Sequence, residues 1–509
     1  VTSHQKSLIA MTVVGNIAEF FDLFLIGFII KLLLDDPAWN LTGIQAGIIG
    51  AAAGVGTVVG AVMWGRLADR FGRRNAFVAC IIVLVFFTFI SIFTPVNGWL
   101  FLAVARVGVC IGVGGLNITS IPFVQEFVPA KQRGVLAGLT SVFIPGGILL
   151  GSLCTKFFAP YIGWRGLLAI GCIPIVLLIW ARFIPESPRF LMSRGREKEA
   201  RAAYAWAMEI SPEEVGVIPV PKETKSASYT LVFTKYPKQL AIVAVGSFFI
   251  ILGIFALQTW GQGVLGDAFK FDLDMVTNLF IIVSLGDMAG RFGSAWISDR
   301  IGRRKTMAIF ASLGAAGTFI AAFAAKAASQ TYQKLEPMLK VVNISDQNLV
   351  KNELMGGEGN AGKVTQFMQN HASEVSALLD KHHAEIDKIT SSAEYHTLVD
   401  QLWMPGIIFF IGILILMTFG DGTFGILNAF GAEQFPTSAR STAIGLGYGI
   451  GALSKIAGPL IIGLAIGQGT PTPTSIFVPL LVFGALLLVG GLLYLGATET
   501  AGKQLESIE

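Results

Sequence analysis

Several ionisable side chains fall inside otherwise apolar stretches of the sequence, namely Glu19, Asp22, Arg106, Asp287, Arg291 and Lys455. A charged side chain at the centre of a bilayer costs at least about 2.5–3.5 kcal/mol, so it normally faces a partner or a water-filled cavity. Loss of water raises the pKa of a carboxyl group and a nearby guanidinium lowers it, whereas an arginine keeps its charge. A carboxylate that an arginine approaches and leaves can therefore take up and release a proton.

The elements that would position these groups are membrane helices. The 509 residues are 53% hydrophobic and only 14% charged, with a net charge of +4, which excludes a soluble protein. Apolar segments of about 20 residues recur, and each is long enough to cross a bilayer as a helix. We predict an all-α membrane protein with 12 transmembrane helices. Glu19 and Asp22 lie one turn apart in the first span, on one face of the helix.

A basic loop between two spans occurs twice, at residues 65–75 (GRLADRFGRRN) and, 230 positions later, at 295–305 (AWISDRIGRRK). An internal repeat of half a chain predicts two related halves. We expect the loops to be cytoplasmic, because arginine and lysine concentrate on that side of a membrane. The alternative is a basic cluster that only fixes topology. We predict a conformational latch that holds the outward-open state, formed by Gly65, Asp69, Arg70, Arg73, Arg74, Glu126, Arg133, Asp299, Arg300, Arg303, Arg304, Glu433 and Arg440.

The second half contains an insertion. The two loops are 230 residues apart, but the ends of spans 4 and 10, at Glu126 and Glu433, are 307 apart. The excess matches the polar stretch 326–401, which we expect to be external, helical and dispensable. Its four histidines are interpreted as solvated surface rather than a metal site. The predicted organisation is a six-helix bundle (1–189), a cytoplasmic middle loop (190–238), spans 7–9 (239–325), the external insertion (326–401), and spans 10–12 with a short cytoplasmic tail (402–509).

The doubled loop resembles the signature of the major facilitator transporters. Residues 185–191 (PESPRFL), Arg106 with its following glycines, Glu126 with Arg133, and residues 498–506 (TETAGKQLE) are similar to the sugar-porter branch. Span 5 (SVFIPGG, 141–147) lacks the usual glutamine of sugar porters, and span 7 lacks their glutamine pair. Glu19 beside Asp22 looks more like the metabolite and organic-acid proton symporters of the same superfamily.

The resemblance implies a secondary transporter that couples a proton to a small polar metabolite, here an organic anion, by alternating access. Asp22 and Arg106 fall where proton symporters of this branch carry a coupling pair, although a static ion pair is the alternative. Glu19 is either a second proton site or a hydrated cavity wall. Transporter sites lie near the midplane between repeats. The substrate-binding candidates are Asn117, Gln258, Trp260, Asp287, Arg291, Asn428, Tyr448 and Lys455.

Two other functions stay open at this point: a sugar:proton symporter or facilitator, and a transporter-like membrane sensor. No nucleotide-binding loop, nucleophile motif or metal cluster is recognisable, so we predict no enzymatic activity, no cofactor and no bound metal. The expected partners are the substrate, protons and the lipid bilayer, without nucleic acid, and the chain is expected to be a monomer. We expect it in the plasma membrane, the inner membrane of a bacterium, with both termini cytoplasmic.

Overall fold

The computed structural model describes residues 2–36, 38–127, 143–216, 229–344, 346–357, 361–435 and 440–500, and nearly all of them are helical. The first half consists of α1 (Ser3–Asp35), α2 (Gly43–Phe71), α3 (Arg73–Ile92), α4 (Trp99–Gln125), α5 (Gly146–Ile170) and α6 (Val176–Ala181). Threonine side chains begin α1 and α2, since Thr2 and Thr42 each accept a hydrogen bond from a backbone N–H three residues on and so form capping boxes.

Short polar helices follow, namely α7 (Pro188–Ser193), α8 (Glu197–Met208) and α9 (Tyr229–Lys235). The second half begins with α10 (Pro237–Gly263), α11 (Leu273–Ile301) and α12 (Arg303–Val342). The insertion contributes α13 (Asp346–Glu353), α14 (Ala361–Asn370) and α15 (Ala372–Thr390). The chain ends with α16 (Ala393–Ile415), α17 (Phe424–Glu433), α18 (Arg440–Ala452), α19 (Ser454–Ile466) and α20 (Pro473–Leu493).

By length and apolar composition, 10 segments of the described chain could cross a membrane. One of them, 146–181, is not a single crossing, because Gly163 has a φ of 60° and a ψ of −171° and divides α5 sharply. Glycine accepts this backbone conformation without the steric cost of a side chain. This break separates spans 5 and 6. With it the 10 segments become 11, and α1, which is not among them, is the remaining predicted span.

The two halves pack against each other through α1 with α10, α2 with α19, and α5 with α11. Glycines set the close approach of α2 to α19. A Cβ on Gly47 would lie 2.9 Å from Gly463 Cα, and one on Gly54 would lie 2.6 Å from Ile456 N. Small residues at such crossings let two helix backbones approach closely inside a membrane.

The insertion is more continuous with the membrane helices than predicted. We expected span 9 to end near 325 and span 10 to begin near 403, but α12 extends to Val342 and α16 begins at Ala393. The helices continue past the expected span ends because the alanine-rich and polar sequence beyond the apolar core is itself helical. Helices α13 to α15 share a small core of their own around Val350, Val364 and Val375.

Candidate functional site

The strongest predicted contact is present. Arg106 Nη1 lies 3.1 Å from Asp22 Oδ2, and Arg106 Nη2 donates to the backbone oxygen of Asp22 at 2.8 Å. Both side chains are fully buried between α1 and α4. The hydroxyl of Thr88 faces Asp22 but donates its proton to Leu84 O at 2.9 Å. Asp22 Oδ1 is buried and accepts no hydrogen bond from a described residue, so it is the oxygen at which a proton can bind.

Four ionisable side chains from both halves lie within electrostatic range of Cys110 of α4. Glu19, Asp22 and Arg106 belong to the first half, and Lys455 belongs to α19 of the second; all four interact electrostatically with Cys110. Glu19 is 1% exposed and therefore lies inside the protein rather than at its surface. We call these four residues the central charge group. Its formal charges, two negative and two positive, sum to zero.

Lys455 differs from the other members of this group. It is only 5% exposed, and its Nζ lies 5.6 Å from the centroid of the Phe255 ring, which gives a cation–π contact. It forms no ion pair with a carboxylate of the described residues. The side chain of Lys455 is buried where α19 packs against α2 of the first half.

Two of the substrate-binding candidates, Asp287 and Arg291, form an ion pair, with Arg291 Nε 3.1 Å from Asp287 Oδ1. A third residue, Asp421, completes a buried cluster, because its Oδ2 accepts from Arg291 Nη2 at 2.5 Å and from Nε at 3.2 Å. Asp421 begins a 3-10 turn (Asp421–Thr423) directly after a π-helical segment (Leu416–Gly420). π-helical segments are rare and occur frequently at functional sites. The sequence analysis missed Asp421, although an aspartate in an apolar span is itself a signal.

Of the uncharged substrate-binding candidates, Trp260, Gln258 and Tyr448 have described side chains, and Asn117 and Asn428 do not. Trp260 is fully buried and donates its Nε1 hydrogen to Pro459 O at 3.0 Å, so it packs α10 against α19 in this structure. Gln258 is 6% exposed on the same helix, and Tyr448 is half-buried against the core. The side chains of Asn117 and Asn428 lie outside the described part of the chain. Gln262, which the sequence analysis passed over, approaches α1 so closely that a Cβ on Gly27 would lie 2.7 Å from its Oε1.

Near the insertion, the two halves are joined by contacts that the sequence analysis did not predict. Lys31 of α1 lies 3.0 Å from Asp267 Oδ1, and Asp267 belongs to a π-helical segment (Val264–Ala268) at the end of α10. Lys31 also bonds Asp35 on its own helix. Lys156 Nζ lies 3.2 Å from Asp274 Oδ1, which joins α5 to α11.

Backbone hydrogen bonds reinforce this closure. Gly43 N donates to Gly469 O at 3.1 Å and Ile44 N donates to Gly467 O at 3.0 Å, which ties the start of α2 to the loop after α19. The structure is therefore closed between the halves on the side of the insertion. In an alternating-access cycle, this closed side is the one opposite the basic loops.

The basic loops form two equivalent clusters. In the first, Glu186 accepts from the backbone N–H groups of Arg74 at 2.9 Å and Asn75 at 3.2 Å. In the second, Glu499 accepts from those of Arg303 at 3.0 Å and Arg304 at 3.2 Å. A carboxylate at a helix N-terminus satisfies backbone donors and complements the helix dipole. Both glutamates come from the motifs that carried the family resemblance, but the sequence analysis gave neither a role.

Each cluster also contains the predicted glutamate. Arg73 Nε lies 3.6 Å from Glu126 Oε1, and Arg303 Nη1 lies 2.5 Å from Glu433 Oε1. Glu126 further accepts a hydrogen bond from Ser187 Oγ. Burial raises the pKa of Glu126 above its ordinary value, although the Ser187 hydroxyl and Arg73 act in the opposite direction. These contacts join elements of one half each.

The latch prediction needs several corrections. Asp299 is exposed and its carboxylate bonds no described residue, so it does not pair across to a neighbouring helix. Arg70 and Arg300 are also exposed and stack on Phe71 and Trp296 of their own helices. A Cβ on Gly65 would meet no atom within 4 Å. Arg133 lies outside the described residues, as do the side chains of Asp69 and Arg440. The capping glutamates hold the loops, without a contribution from Asp299, and they do so while the opposite side is closed.

Comparison with known proteins identifies the family. The sequence profile of the family described as sugar (and other) transporter matches residues 8–332, which is more than half of the chain. The chain belongs to the sugar (and other) transporter family. It is thus a multi-pass integral membrane protein of a transporter family and not an enzyme, as the sequence predicted.

Individual relatives are distant. The niacin transporter NiaP of Acinetobacter baylyi is 28% identical over 303 residues, which cover 58% of this chain and 67% of that protein. Alignments with three other curated relatives span only 39% to 60% of their lengths. Among solved structures, the partially occluded inward-open xylose transporter XylE from E. coli is 18% identical, covers 99% of this chain and 100% of its own, and has a TM-score of 0.64. A structure of the proton:xylose symporter XylE bound to 6-bromo-6-deoxy-D-glucose is 19% identical, covers 99% of this chain and 98% of its own, and has a TM-score of 0.62. These likenesses support the fold.

Proposed function

We propose that this family member is a proton-coupled symporter of a small organic anion that works by alternating access. The observation that carries the proposal is Lys455, a buried cation without a carboxylate partner among the described residues, which lies, like the Asp22–Arg106 pair, within electrostatic range of Cys110. An unpaired ammonium in a dry setting is unfavourable, and an anionic substrate relieves that cost.

The need to keep the buried site electrically neutral couples substrate binding to proton uptake. The central charge group is formally neutral, so an anion that binds alone would leave an uncompensated negative charge in a poorly solvated site. One proton taken up with each monovalent anion restores neutrality. Asp22 Oδ1 is the available proton acceptor, because Oδ2 is bonded to Arg106.

The steps follow from these contacts. A proton on Asp22 weakens its attraction for Arg106, and the guanidinium can then share the substrate carboxylate with Lys455. The neutral complex permits closure on one side and opening on the other. Departure of the substrate restores the Asp22–Arg106 pair and displaces the proton. Glu19 remains ionised in this scheme and keeps the group neutral.

The experiment uses purified protein in liposomes with an imposed proton gradient and a panel of nicotinate, benzoate, sugar acids, neutral sugars and organic cations. We expect uphill uptake of an acid. Asp22→Asn should abolish gradient-driven accumulation while exchange of labelled for unlabelled substrate survives, since exchange needs no net proton movement. Accumulation at the wild-type level by Asp22→Asn would exclude this carrier and make Glu19 the next residue to test.

Lys455 tests the anion part separately. Lys455→Gln should weaken binding of the acid by a large factor, whereas Lys455→Arg, which keeps the charge, should retain much of it. Equal binding of the acid by wild-type and Lys455→Gln would contradict the role of this lysine. A second candidate is a sugar:proton symporter, because the structurally similar XylE is a proton:xylose symporter. Gradient-driven uptake of a neutral sugar but of no acid would select it.

The proposed topology places the insertion outside and the middle segment in the cytoplasm of a plasma-membrane monomer. In a protein without native cysteines, Gln369→Cys should react with an impermeant reagent added from outside. Ile210→Cys, on the middle segment, should react only after permeabilisation. The reverse labelling pattern would overturn this orientation.

A further inference from the structure

The Asp287–Arg291–Asp421 cluster occupies a helix crossing that the first half builds without charge. The loop offset of 230 maps Asp287 to Thr57 and Arg291 to Ala61, and the offset of 307 between spans 4 and 10 maps Asp421 to Gly114. These three residues of the first half also meet. A Cβ on Gly114 would lie 2.3 Å from Thr57 O and 3.0 Å from Ala61 N.

The repeat therefore supplies an internal control. Small residues are sufficient to pack this crossing in one half, so the fold does not require charges there. In the other half, a π-helical segment and a 3-10 turn replace the corresponding part of continuous α4 and bring Asp421 against α11. Ion pairs buried at this depth are costly to maintain, which points to a function other than packing.

The cluster has one more negative group than positive. Arg291 bonds both carboxylates, and its guanidinium also lies 5.4 Å from the Phe424 ring. Asp421 and Arg291 are the charged groups that face Asp287 among the described residues. Asp287 is fully buried, and its Oδ2 accepts no hydrogen bond from a described residue.

Among the described residues, the helices around the cluster offer no further charge. Helix α12 contributes Phe310 and Gly314 next to the turn that carries Asp421, and the π-helical segment contributes Thr418. Helix α5, which also packs along α11, carries Lys156, but its Nζ is bound at Asp274, about 20 Å along the helix from Asp287. One negative charge of the cluster is thus left without a compensating cation.

We propose that Asp287 and Asp421 share one exchangeable proton, which makes the cluster a second proton-binding site in the half that lacks the Asp22–Arg106 pair. A proton from water binds at Asp287 Oδ2, where an O–H bond forms and donates to the neighbouring carboxylate of Asp421. No other bond changes, and release reverses the step. The protonated cluster is formally neutral.

A metal cation fits this site poorly. Monovalent and divalent cations with oxygen ligands need about six donors. Here Arg291 already occupies Asp287 Oδ1 and Asp421 Oδ2, and Gly422 O accepts from the Ser294 hydroxyl at 2.5 Å. A cation would also lie beside the guanidinium, which repels it. A proton needs a single oxygen.

As a carrier in the transport cycle, the cluster rests on the proposed proton-coupled function, but the site itself can be tested without transport. Infrared spectroscopy of the full chain in lipid at neutral pH should show a protonated-carboxyl band that shifts in deuterated water. Asp287→Asn and Asp421→Asn should each remove this band, since either change leaves a neutral carboxylate–arginine pair. Asp274→Asn, at an exposed acid of the same helix, should keep it.

A triple variant copies the first half. Asp287→Thr, Arg291→Ala and Asp421→Gly together should fold, because the same residue types pack the equivalent crossing, and should lack the band. Persistence of the band in both asparagine variants and in the triple variant would overturn the proposal. Loss of the wild-type band on addition of sodium would equally overturn it in favour of a cation.

The transport measurement separates this inference from the proposed function. With a working symporter, wild-type protein should move two protons per substrate and Asp421→Asn should move one. A ratio that is unchanged in Asp421→Asn would refute a carrier role for the cluster. Absence of proton-coupled transport in wild-type protein would refute the proposed function, while the infrared band would still decide whether the site holds a proton.

Discussion

The contact between Lys31 and Asp267 gives a quantitative prediction for conformational balance. Both side chains are nearly buried, at 7% and 10% exposure, and the Nζ–Oδ1 distance is 3.0 Å. Asp267→Asn keeps the size of the side chain but removes its charge. Since Lys31 belongs to the first half and Asp267 to the second, the contact exists only while the side near the insertion is closed.

The free-energy cost of Asp267→Asn depends on the partner that Lys31 keeps. Removal of one partner of a buried pair costs about 3–5 kcal/mol when the other charge is left alone. Lys31 is not left alone, because Asp35 on the same helix also bonds it and is half-exposed. We therefore expect the value of a charged hydrogen bond, about 1.5–3 kcal/mol. That corresponds to a shift of roughly 10- to 150-fold toward opening on this side.

Spin labels at Val96 and Gln468, two exposed loop positions on opposite halves, would report the opening as a change in their distance distribution. Asp35→Asn is the matched control: it removes the other carboxylate from the same lysine, but that contact does not cross between the halves. We expect Asp267→Asn to populate a longer distance and Asp35→Asn to resemble wild-type protein. Equal shifts in the two variants, or none in Asp267→Asn, would refute the reasoning.

Three further predictions concern stability. Burial raises the pKa of Glu126 above its ordinary 4.5, so the folded state favours the protonated form. The stability that this form contributes is lost as pH rises from about 4.5 through the higher folded pKa. Glu126→Gln should flatten the pH dependence of the melting temperature over this window, and an unchanged profile would contradict this prediction. Gly72, with a φ of 101° and Glu186 Oε2 2.3 Å from a built Cβ, should lose about 1–3 kcal/mol on change to alanine, whereas Gly65→Ala should be tolerated in the same unfolding assay. Replacement of 344–391 by a Gly/Ser linker should preserve the melting temperature. Replacement of 330–398 should lower it, because the longer deletion removes the buried side chains of Tyr332, Leu335 and Leu398. Equal melting temperatures for the two deletions would show that the helix extensions contribute nothing to stability.

The sequence predicted the helical membrane fold and the repeat because these leave local or doubled signals, whereas the Asp22–Arg106 contact was implied by the family resemblance. Lys31, Asp267 and Asp421 carried the same signal, a charge in an apolar segment, and were passed over. Their partners could not be predicted from spacing. The Lys31–Asp267 and Arg291–Asp421 contacts each join distant segments, at or directly after a π-helical turn that the sequence does not indicate.

The loop clusters show a different limit. Glu186 and Glu499 were recognised only as parts of motifs. In the structure they accept hydrogen bonds from backbone N–H groups at helix N-termini more than 100 residues away in the chain. A capping residue is normally expected next to its helix. A cap supplied from another span depends on the tertiary arrangement, and only the symmetry of the two halves could have suggested it.

The length of α12 has a mechanical consequence. Its 40 residues extend about 60 Å, whereas the hydrocarbon core of a bilayer is about 30 Å thick, so roughly half of this rod stands clear of the lipid. Together with the start of α16 it fixes the small core of α13 to α15 rigidly to the second half. If that half rocked by about 10°, a point some 40 Å from the pivot would be displaced by roughly 7 Å. A fluorophore at the far end of the insertion would therefore be displaced measurably by a small rotation of this half in the membrane, and single-molecule microscopy can follow that displacement.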